Sequence, residues 1–441
     1  MRTLFKNLTF WVVLMALAGY GLSMMLGDKA WLSESSARPV FYQAILQIKL
    51  WFIQLLRMLV APVVFISLVA GLANIRSITS LHRMGFGTLG YYLLTTAIAA
   101  GLGLLVVFYI QPWQGGAVIA DGNFGLLPDA GSSLRFIDAE SSSLSVIGMQ
   151  LLERALVNPV TAFLELNVLA IVANALLIGL LAVWLLPAQH VLFRLIERLS
   201  YAMHWLLGWV IWLTPVGVFA IMFDLALRIS GNIVDQLLWF ALVVFGVTLV
   251  HSLLVLPTIA WLFSGLPPWT LLRKLAAPMM VAFSTSSSTA TLPVSLKCSQ
   301  DDLNVSRPVA GFVLPLGATM NMDGTALFEG VAAVFLAYLF GVELSNAAIV
   351  AVFIMAMVSS IGAPGMPSGS MSGMQMVLLA VGIPLEAIAI LLLIERPLDT
   401  FRTAVNVQGD MVGALVVQRF IGRQRGAGME EGSQSKASNN A

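Results

Sequence analysis

The sequence predicts an all-α polytopic membrane protein with eight transmembrane helices and two re-entrant hairpins, and three observations carry that reading. The 441 residues are 59% hydrophobic and only 10% charged, with a mean hydropathy of +0.91, whereas soluble domains carry about 25% charged residues. Apolar segments long enough to cross a bilayer recur along the whole chain, and the length suits about eight of them. Short polar runs containing glycine interrupt the apolar sequence of the C-terminal half. The net charge of +1 selects no class of partner, and no basic face suggests nucleic acid. The single Cys298 excludes an intramolecular disulfide and a cysteine-only metal cluster.

The first segment, Leu8 to Gly27, follows Arg2 and Lys6 and lacks a small-residue cleavage site, so it reads as a retained span rather than a signal peptide. Further apolar segments lie near 44–74, 86–110, 163–186, 205–227 and 236–263. The stretch from Gln111 to Asn158 is an external insertion with no strong periodicity. The pattern then degrades. Residues 269–296 and 347–380 are rich in Ser, Gly and Pro with short apolar arms, which suits hairpins that enter and leave by the same face. Two more spans, 303–340 and 383–421, each carry a polar run. Interrupted segments in matching positions point to a binding site at membrane depth, and the two hairpin-plus-span units form an inverted repeat.

Orientation follows from Lys and Arg near the span ends. Arg76, Arg83, Arg194, Arg198, Arg273, Lys274, Arg419, Arg423 and Arg425 fall on the side of the N-terminus. The opposite loops carry mixed or acidic charge, such as Asp28, Lys29, Glu34 and Arg38, or Glu343. Both termini are therefore expected in the cytoplasm, with the chain a multi-pass protein of the inner (plasma) membrane. Residues 422–441 read as a disordered cytoplasmic tail.

Asn321-Met322-Asp323-Gly324-Thr325 is the most informative stretch. A bilayer offers no water to an opened helix, so such a break survives only where it lines a protein-enclosed cavity, and there its freed carbonyls can hold a cation. Asp399-Thr400-Phe401-Arg402-Thr403, with Asn406 and Asp410, forms the second polar run. Each acid at mid-membrane costs about 2.5–3.5 kcal/mol on insertion scales, so these groups are functional candidates. Arg402 is a rigid fork that suits a carboxylate. Asp399, three residues earlier on the same helical face, can accept bonds from an ammonium. A ligand with two carboxylates and an amine would satisfy Arg402, Asn406 and Asp399 together.

Three motifs then match a family. Asn321 to Glu329 (NMDGTALFE), Ser284 to Pro293 (STSSSTATLP) and Arg402 to Asp410 (RTAVNVQGD) resemble the glutamate transporter family of dicarboxylate/amino acid:cation symporters. The resemblance runs from about residue 8 to 421. It implies an elevator-type homotrimer embedded in lipid, with no cofactor beyond co-transported Na+ and/or H+. Residues 1–85 would supply scaffold helices 1 and 2, and 86–162 transport-domain helix 3 with the external insertion. Residues 163–230 would be scaffold helices 4 and 5, and 231–421 the rest of the transport domain. The function implied is uptake of glutamate or aspartate, with a C4-dicarboxylate or cystine as alternatives.

The resemblance also assigns residues. Arg402 would take the substrate's side-chain carboxylate, Asp399 its amino group and Asn406 its main carboxylate, with Thr325, Thr403, Ser287, Ser288 and Met366 completing the pocket. One sodium site would use Asp410, Asn406, Asn321 and the Gly317 carbonyl. A second would use Asp323 and Asn321 with Tyr92, Thr95 and Thr96. A third would use mainly backbone at Thr319, Ser360, Ile361 and Ala363. Glu329, two helical turns after Asn321, stands where proton-coupled members carry a glutamate, and a carboxyl shielded from water can hold a proton near neutral pH.

Some features depart from the family or stand apart from it. Neither position at which relatives hold an extra arginine does so here, since they are Ser286 and Thr400, and Pro364 is unusual at the second hairpin tip. Glu395 next to Arg396 reads either as another family acid or as an adjacent salt bridge. His82, His190, His204 and His251 show no metal-ligand spacing. The serine runs lack the base and orienting group of a hydrolase, so the chain is not read as an enzyme. An ion channel is the distant alternative, because the same polar runs could line a pore.

Overall fold

The computed structural model describes residues 8–33, 38–73, 81–110, 113, 149, 152–153, 155–165, 167–187, 189–228, 233–342, 344–362, 370–383 and 387–438. Among them the chain is helical, with no strand. The first elements are α1 (Leu8–Leu26), the short α2 (Ala30–Ser33), α3 (Val40–Ala73) and α4 (Leu81–Ile110). After the insertion come α5 (Pro159–Leu164) and α6 (Val168–Leu185). Asn158 and Asn167 cap these two by accepting from the amides of Val160 and Ala170. The segment expected at 205–227 is two helices, α7 (Val191–Trp212) and α8 (Thr214–Arg228), bent by 49° at Leu213 just before Pro215.

The C-terminal half is a run of interrupted helices. Helices α9 (Ile233–Val250) and α10 (Leu256–Ser264) are joined by a π turn over His251–Val255. Gly265, at φ +72°, stops α10 in the left-handed conformation that glycine tolerates best. Helices α11 (Pro268–Thr285) and α12 (Ser288–Asp301) pack on each other across a two-residue tip. Helices α13 (Arg307–Met320) and α14 (Asp323–Leu339) flank the Asn321–Met322 break. Helices α15 (Asn346–Gly362) and α16 (Ser370–Ala380) pack on each other as a second pair, and α17 runs from Ile388 to Ser438.

Two sequence expectations differ from this. The polar run at 399–410 does not interrupt its span, because α17 passes through it unbroken. Asp399, Arg402, Asn406 and Asp410 recur at helical spacing, so an intact helix presents them on one face with no backbone group left open. The same helix continues to Ser438, through 422–438 that composition marks as tail; Ala, Met, Glu, Gln and Lys there are helix formers. Most of the 111–158 insertion and Ala363, Pro364 and Met366 lie outside the described residues.

By length and composition, three helical stretches among the described residues can cross a membrane: Met84–Ile110, Asp235–Ser264 and Arg307–Leu339. The bent α7–α8 pair makes a fourth if counted as one span. The others differ in how they meet their surroundings. The most apolar window of Arg307–Leu339 is 94% buried inside the protein, whereas the other two are 39% buried. Helix α14 is therefore the centre of the molecule, enclosed by α4, α9, α15, α16 and α17. Phe328 and Phe335 on α14 meet Phe240 of α9, and Trp113 stacks beyond them.

A second group of helices packs largely on itself and joins this core along α1, α3, α6 and α8. Helix α1 lies along α8, and α3 contacts α6, α7 and α8. Within it a buried ion pair joins α3 to α8: Lys49 Nζ lies 2.5 Å from Asp224, which also accepts from Tyr42 at 2.5 Å. The α1–α8 approach is backbone-close, because a Cβ at Gly19 would fall on the Phe219 carbonyl. Gly19→Val is expected to lower stability by about 1–3 kcal/mol through overpacking. Gly21→Val, which meets open space, should leave it unchanged; equal melting temperatures of the two variants in detergent would contradict this packing.

Candidate functional site

The site begins at the helix break. Asn321 (φ −124°, ψ 79°) and Met322 (φ −114°, ψ 63°) leave helical geometry, so α13 ends in open carbonyls and α14 begins in open amides. Both residues are buried, and the gap is closed from two other helices. On α17, Asn406 accepts from the Gly324 amide at 2.8 Å and donates to the Thr325 hydroxyl at 3.4 Å. Gly324 makes this approach possible, since a Cβ there would lie 2.7 Å from the Arg402 carbonyl. On α4, the Thr95 hydroxyl donates to Asn321 Oδ1 at 3.3 Å and Thr96 donates to Asp323 Oδ1 at 2.9 Å.

One oxygen-rich cluster forms here. Asn321 Nδ2 donates to Asp410 at 3.0 Å, and Gly317 faces the same carboxylate so closely that a methyl group would collide with it. Gly409 is held equally close to the Asn321 amide, at 2.9 Å from a would-be Cβ. Asn321, Asp323, Thr95, Thr96 and Asp410 are all buried. Asp323 sits in the first turn of α14, where the helix dipole favours a carboxylate. Carboxylate, amide, hydroxyl and backbone oxygens together are the donor set of a hard cation.

The second cluster surrounds Arg402, which is 1% exposed. Its Nη2 donates to Glu395 at 3.0 Å and to Asp399 at 3.1 Å, and its guanidinium carbon lies 3.9 Å from the Phe328 ring centre. Its Nε and Nη1 have no hydrogen-bond partner among the described residues. The tip of the α11–α12 pair lies in the same half of the molecule. Ser286 there takes a left-handed conformation (φ 49°), and Ser287 caps α12 by accepting from the Ala290 amide at 3.1 Å. Glu329, one turn after Thr325 on α14, accepts a bond from the Ser359 hydroxyl of α15, while Gly373 of α16 backs against its other oxygen.

The structure brings most expected residues together but not all as expected. Asn321, Asp323, Thr95, Thr96, Gly317 and Asp410 meet. The Tyr92 hydroxyl reaches the same cluster, 2.7 Å from a would-be Cβ on Gly317, and donates to the Val313 carbonyl at 2.7 Å. Asn406 spends its oxygen on the Gly324 amide. Thr319 and Ser360 return their hydroxyls to carbonyls one turn back, at Leu316 and Met357. Thr403 does likewise, to Asp399 at 2.8 Å. Ser288 is buried at the start of α12, and Ile361 is half-buried near the end of α15.

Three residues stand differently from their sequence reading. Glu395 bonds Arg402 rather than its neighbour Arg396, because residues seven apart share a helix face and adjacent ones do not. His251, isolated in sequence, reaches Asp323 Oδ2 at 3.2 Å through Nε2. Gln408, between Asn406 and Asp410, accepts from the Ser252 hydroxyl at 2.6 Å and donates to the Ser252 carbonyl at 2.7 Å. The sequence signal for both was a polar side chain inside an apolar helix, and for His251 the proline six residues on.

A model of the sodium:dicarboxylate symporter family matches residues 8–420. The chain belongs to this family. Among curated relatives it is 32% identical to a human protein named neutral amino acid transporter B(0), over 84% of this chain and 72% of that one. It is 30% identical to a Caenorhabditis elegans excitatory amino acid transporter, over 83% and 79% of the two chains. Human neutral amino acid transporter A is also 30% identical, over 86% and 76%. Membership of the symporter family agrees with the motifs at 284–293, 321–329 and 402–410, all of which lie in the interrupted half of the fold.

The Arg402 cluster yields a prediction independent of substrate. Glu395→Gln keeps the shape of the side chain and one acceptor but removes a charge from a buried pair. It is expected to cost about 1–3 kcal/mol, because the guanidinium loses half of its carboxylate shell. An unchanged melting temperature of the purified variant would show that Glu395 and Arg402 do not hold each other.

Proposed function

We propose that the protein is a secondary active symporter that takes up acidic amino acids, glutamate or aspartate, driven by Na+ and/or H+. The observation that carries this reading is a charge imbalance. Apart from the Lys49–Asp224 pair, five carboxyls are buried among the described residues, Asp323, Glu329, Glu395, Asp399 and Asp410, against the single buried guanidinium of Arg402. A buried charge without a partner is costly, so the site calls for cations or protons. Binding them and binding substrate then become linked, which is the thermodynamic content of symport.

Arg402 supports the choice of substrate. Its Nη1 and Nε donors are unsatisfied, and a carboxylate is the acceptor that suits them best. Asp399 would hold the substrate ammonium and Asn406 its main carboxylate, with Thr325, Thr403, Ser287, Ser288 and Met366 around them. The cations would lie at Asp410, Asn321, Asn406 and the Gly317 carbonyl, at Asp323 with Thr95, Thr96 and Tyr92, and at backbone near Thr319, Ser360, Ile361 and Ala363. A neutral amino acid is the second reading, favoured by Glu395, which already places a second carboxylate on the guanidinium.

The proposed motion divides the helices between two roles. Helices α1, α3 and α6–α8 would form a fixed trimeric scaffold, while α4 and α9–α17 would carry the site across the membrane as an elevator. The α11–α12 and α15–α16 pairs would serve as re-entrant gates, with both chain termini in the cytoplasm of an inner (plasma) membrane protein.

Uptake of labelled glutamate, aspartate and alanine into proteoliposomes under separate sodium and proton gradients tests the reading. Wild type should concentrate an acidic amino acid, and Arg402→Cys should abolish that uptake, since removing one member of a buried pair costs about 3–5 kcal/mol. Near-normal glutamate and aspartate uptake by the variant would sink the assignment, and a wild type that prefers alanine would select the second reading.

Glu329 is proposed as the proton carrier. Moving a net negative substrate inward against a negative interior is unfavourable by about 2.3 kcal/mol per 100 mV for each charge, and co-transported cations reverse that sign. Glu329→Gln mimics the protonated form permanently. It should lose pH dependence and net uptake while retaining substrate exchange. Uptake as strongly pH-dependent as in wild type would place the proton elsewhere.

A further inference from the structure

The π turn between α9 and α10 has a local cause. The Leu256 amide reaches back five residues to the His251 carbonyl. The Ser252 carbonyl thereby loses the Leu256 amide that an α-helix would give it. Its donor in the widened register would be Pro257, which has no N–H. Gln408 of α17 fills that gap, donating to the Ser252 carbonyl at 2.7 Å and accepting from the Ser252 hydroxyl at 2.6 Å. The turn is thus a clamp between two helices, and all three side chains are buried.

The clamp fixes His251, whose Nε2 lies 3.2 Å from Asp323 Oδ2. A carboxylate only accepts, so Nε2 carries the hydrogen. The Nδ1 atom is buried without a hydrogen-bond partner among the described residues. The ring is therefore held to the protein through its Nε2 side. With Thr96 on its other oxygen at 2.9 Å, Asp323 is gripped from both sides, which fixes the orientation of its carboxylate.

We propose that His251 is a positioning residue for the Asp323 carboxylate, setting how tightly and how selectively that carboxylate binds a monovalent cation. This rests on Asp323 being a cation ligand. A histidine behind a metal-binding carboxylate orients the ligand, and losing such a partner typically costs 10–100-fold in affinity. A lysine or arginine in its place would bring a fixed charge that competes with the cation.

The test is a titration of the full-length purified protein with NaCl or LiCl at constant ionic strength, reading the rise in melting temperature without substrate. His251→Leu should need about ten times more sodium than wild type and should lose most of the preference between Na+ and Li+. His251→Gln, whose amide N–H can still donate, should stay within about threefold of wild type. Gln408→Met, which frees the Ser252 carbonyl without touching Asp323, should shift the response in the same direction as His251→Leu. A folded His251→Leu with the wild-type response, or a glutamine variant as impaired as the leucine one, overturns the proposal. Should His251→Leu fail to fold, a wild-type response from Gln408→Met overturns it instead. A wild type that ignores sodium altogether would remove the underlying reading of Asp323, a different and distinguishable failure.

Discussion

Everything in the C-terminal half depends on closing an opened helix away from water. At Asn321 and Met322 the backbone leaves α13 before α14 begins, and each group set free needs a partner from within the protein. Helix α17 supplies one through the Asn406–Gly324 bond, while Thr95 and Thr96 of α4 hold the side chains of Asn321 and Asp323 that flank the break. Glycines at 317, 324 and 409 let the backbones come close enough for those bonds to form. The burial of α14 on all sides is the consequence, since a break facing lipid would leave its backbone groups unpaired.

The carboxyls follow the same logic. A fold that must line its break with polar groups can also hold acids there, provided neutral donors or a cation reach them. Asp410 is met by an amide, Asp323 by a hydroxyl and an imidazole, and Glu329 by a hydroxyl. Only Glu395 and Asp399 are met by a fixed positive charge. The protein therefore divides its acids into a pair tied to Arg402 and a set met by side chains without a fixed positive charge, the set proposed to take exchangeable cations. The scaffold-side Lys49–Asp224 pair shows the other solution, in which both charges are built in and nothing is left to exchange.

Much of this was legible in the sequence, for identifiable reasons. The Asn321–Thr325 stretch stood out because four polar or glycine residues in an apolar run have no other use at membrane depth. The face shared by Asp399, Arg402, Asn406 and Asp410 could be read from spacing alone, although that same spacing let the helix continue where a break was expected. Contacts between distant segments were not legible. His251 and Asp323 are 72 positions apart, and no local periodicity links them. Glu395 was drawn toward Arg396 by adjacency, while helical geometry takes it two turns along to Arg402. The bond of the Tyr92 hydroxyl to the Val313 carbonyl could not be read from sequence, because it depends on how α4 rotates against α13.

The unbroken course of α17 has a mechanical meaning. Asp399 and Asp410 are eleven residues apart on one rigid rod, a separation of about 16 Å along its axis. The proposed substrate pole and cation pole are thus mounted on a single ruler, whose length an intact helix fixes. Any change in how strongly one end feels the other must then come from the neighbours that slide, tilt or lift against that ruler. Evolution can retune the partnership by altering those flanking surfaces while the graduated face itself stays untouched.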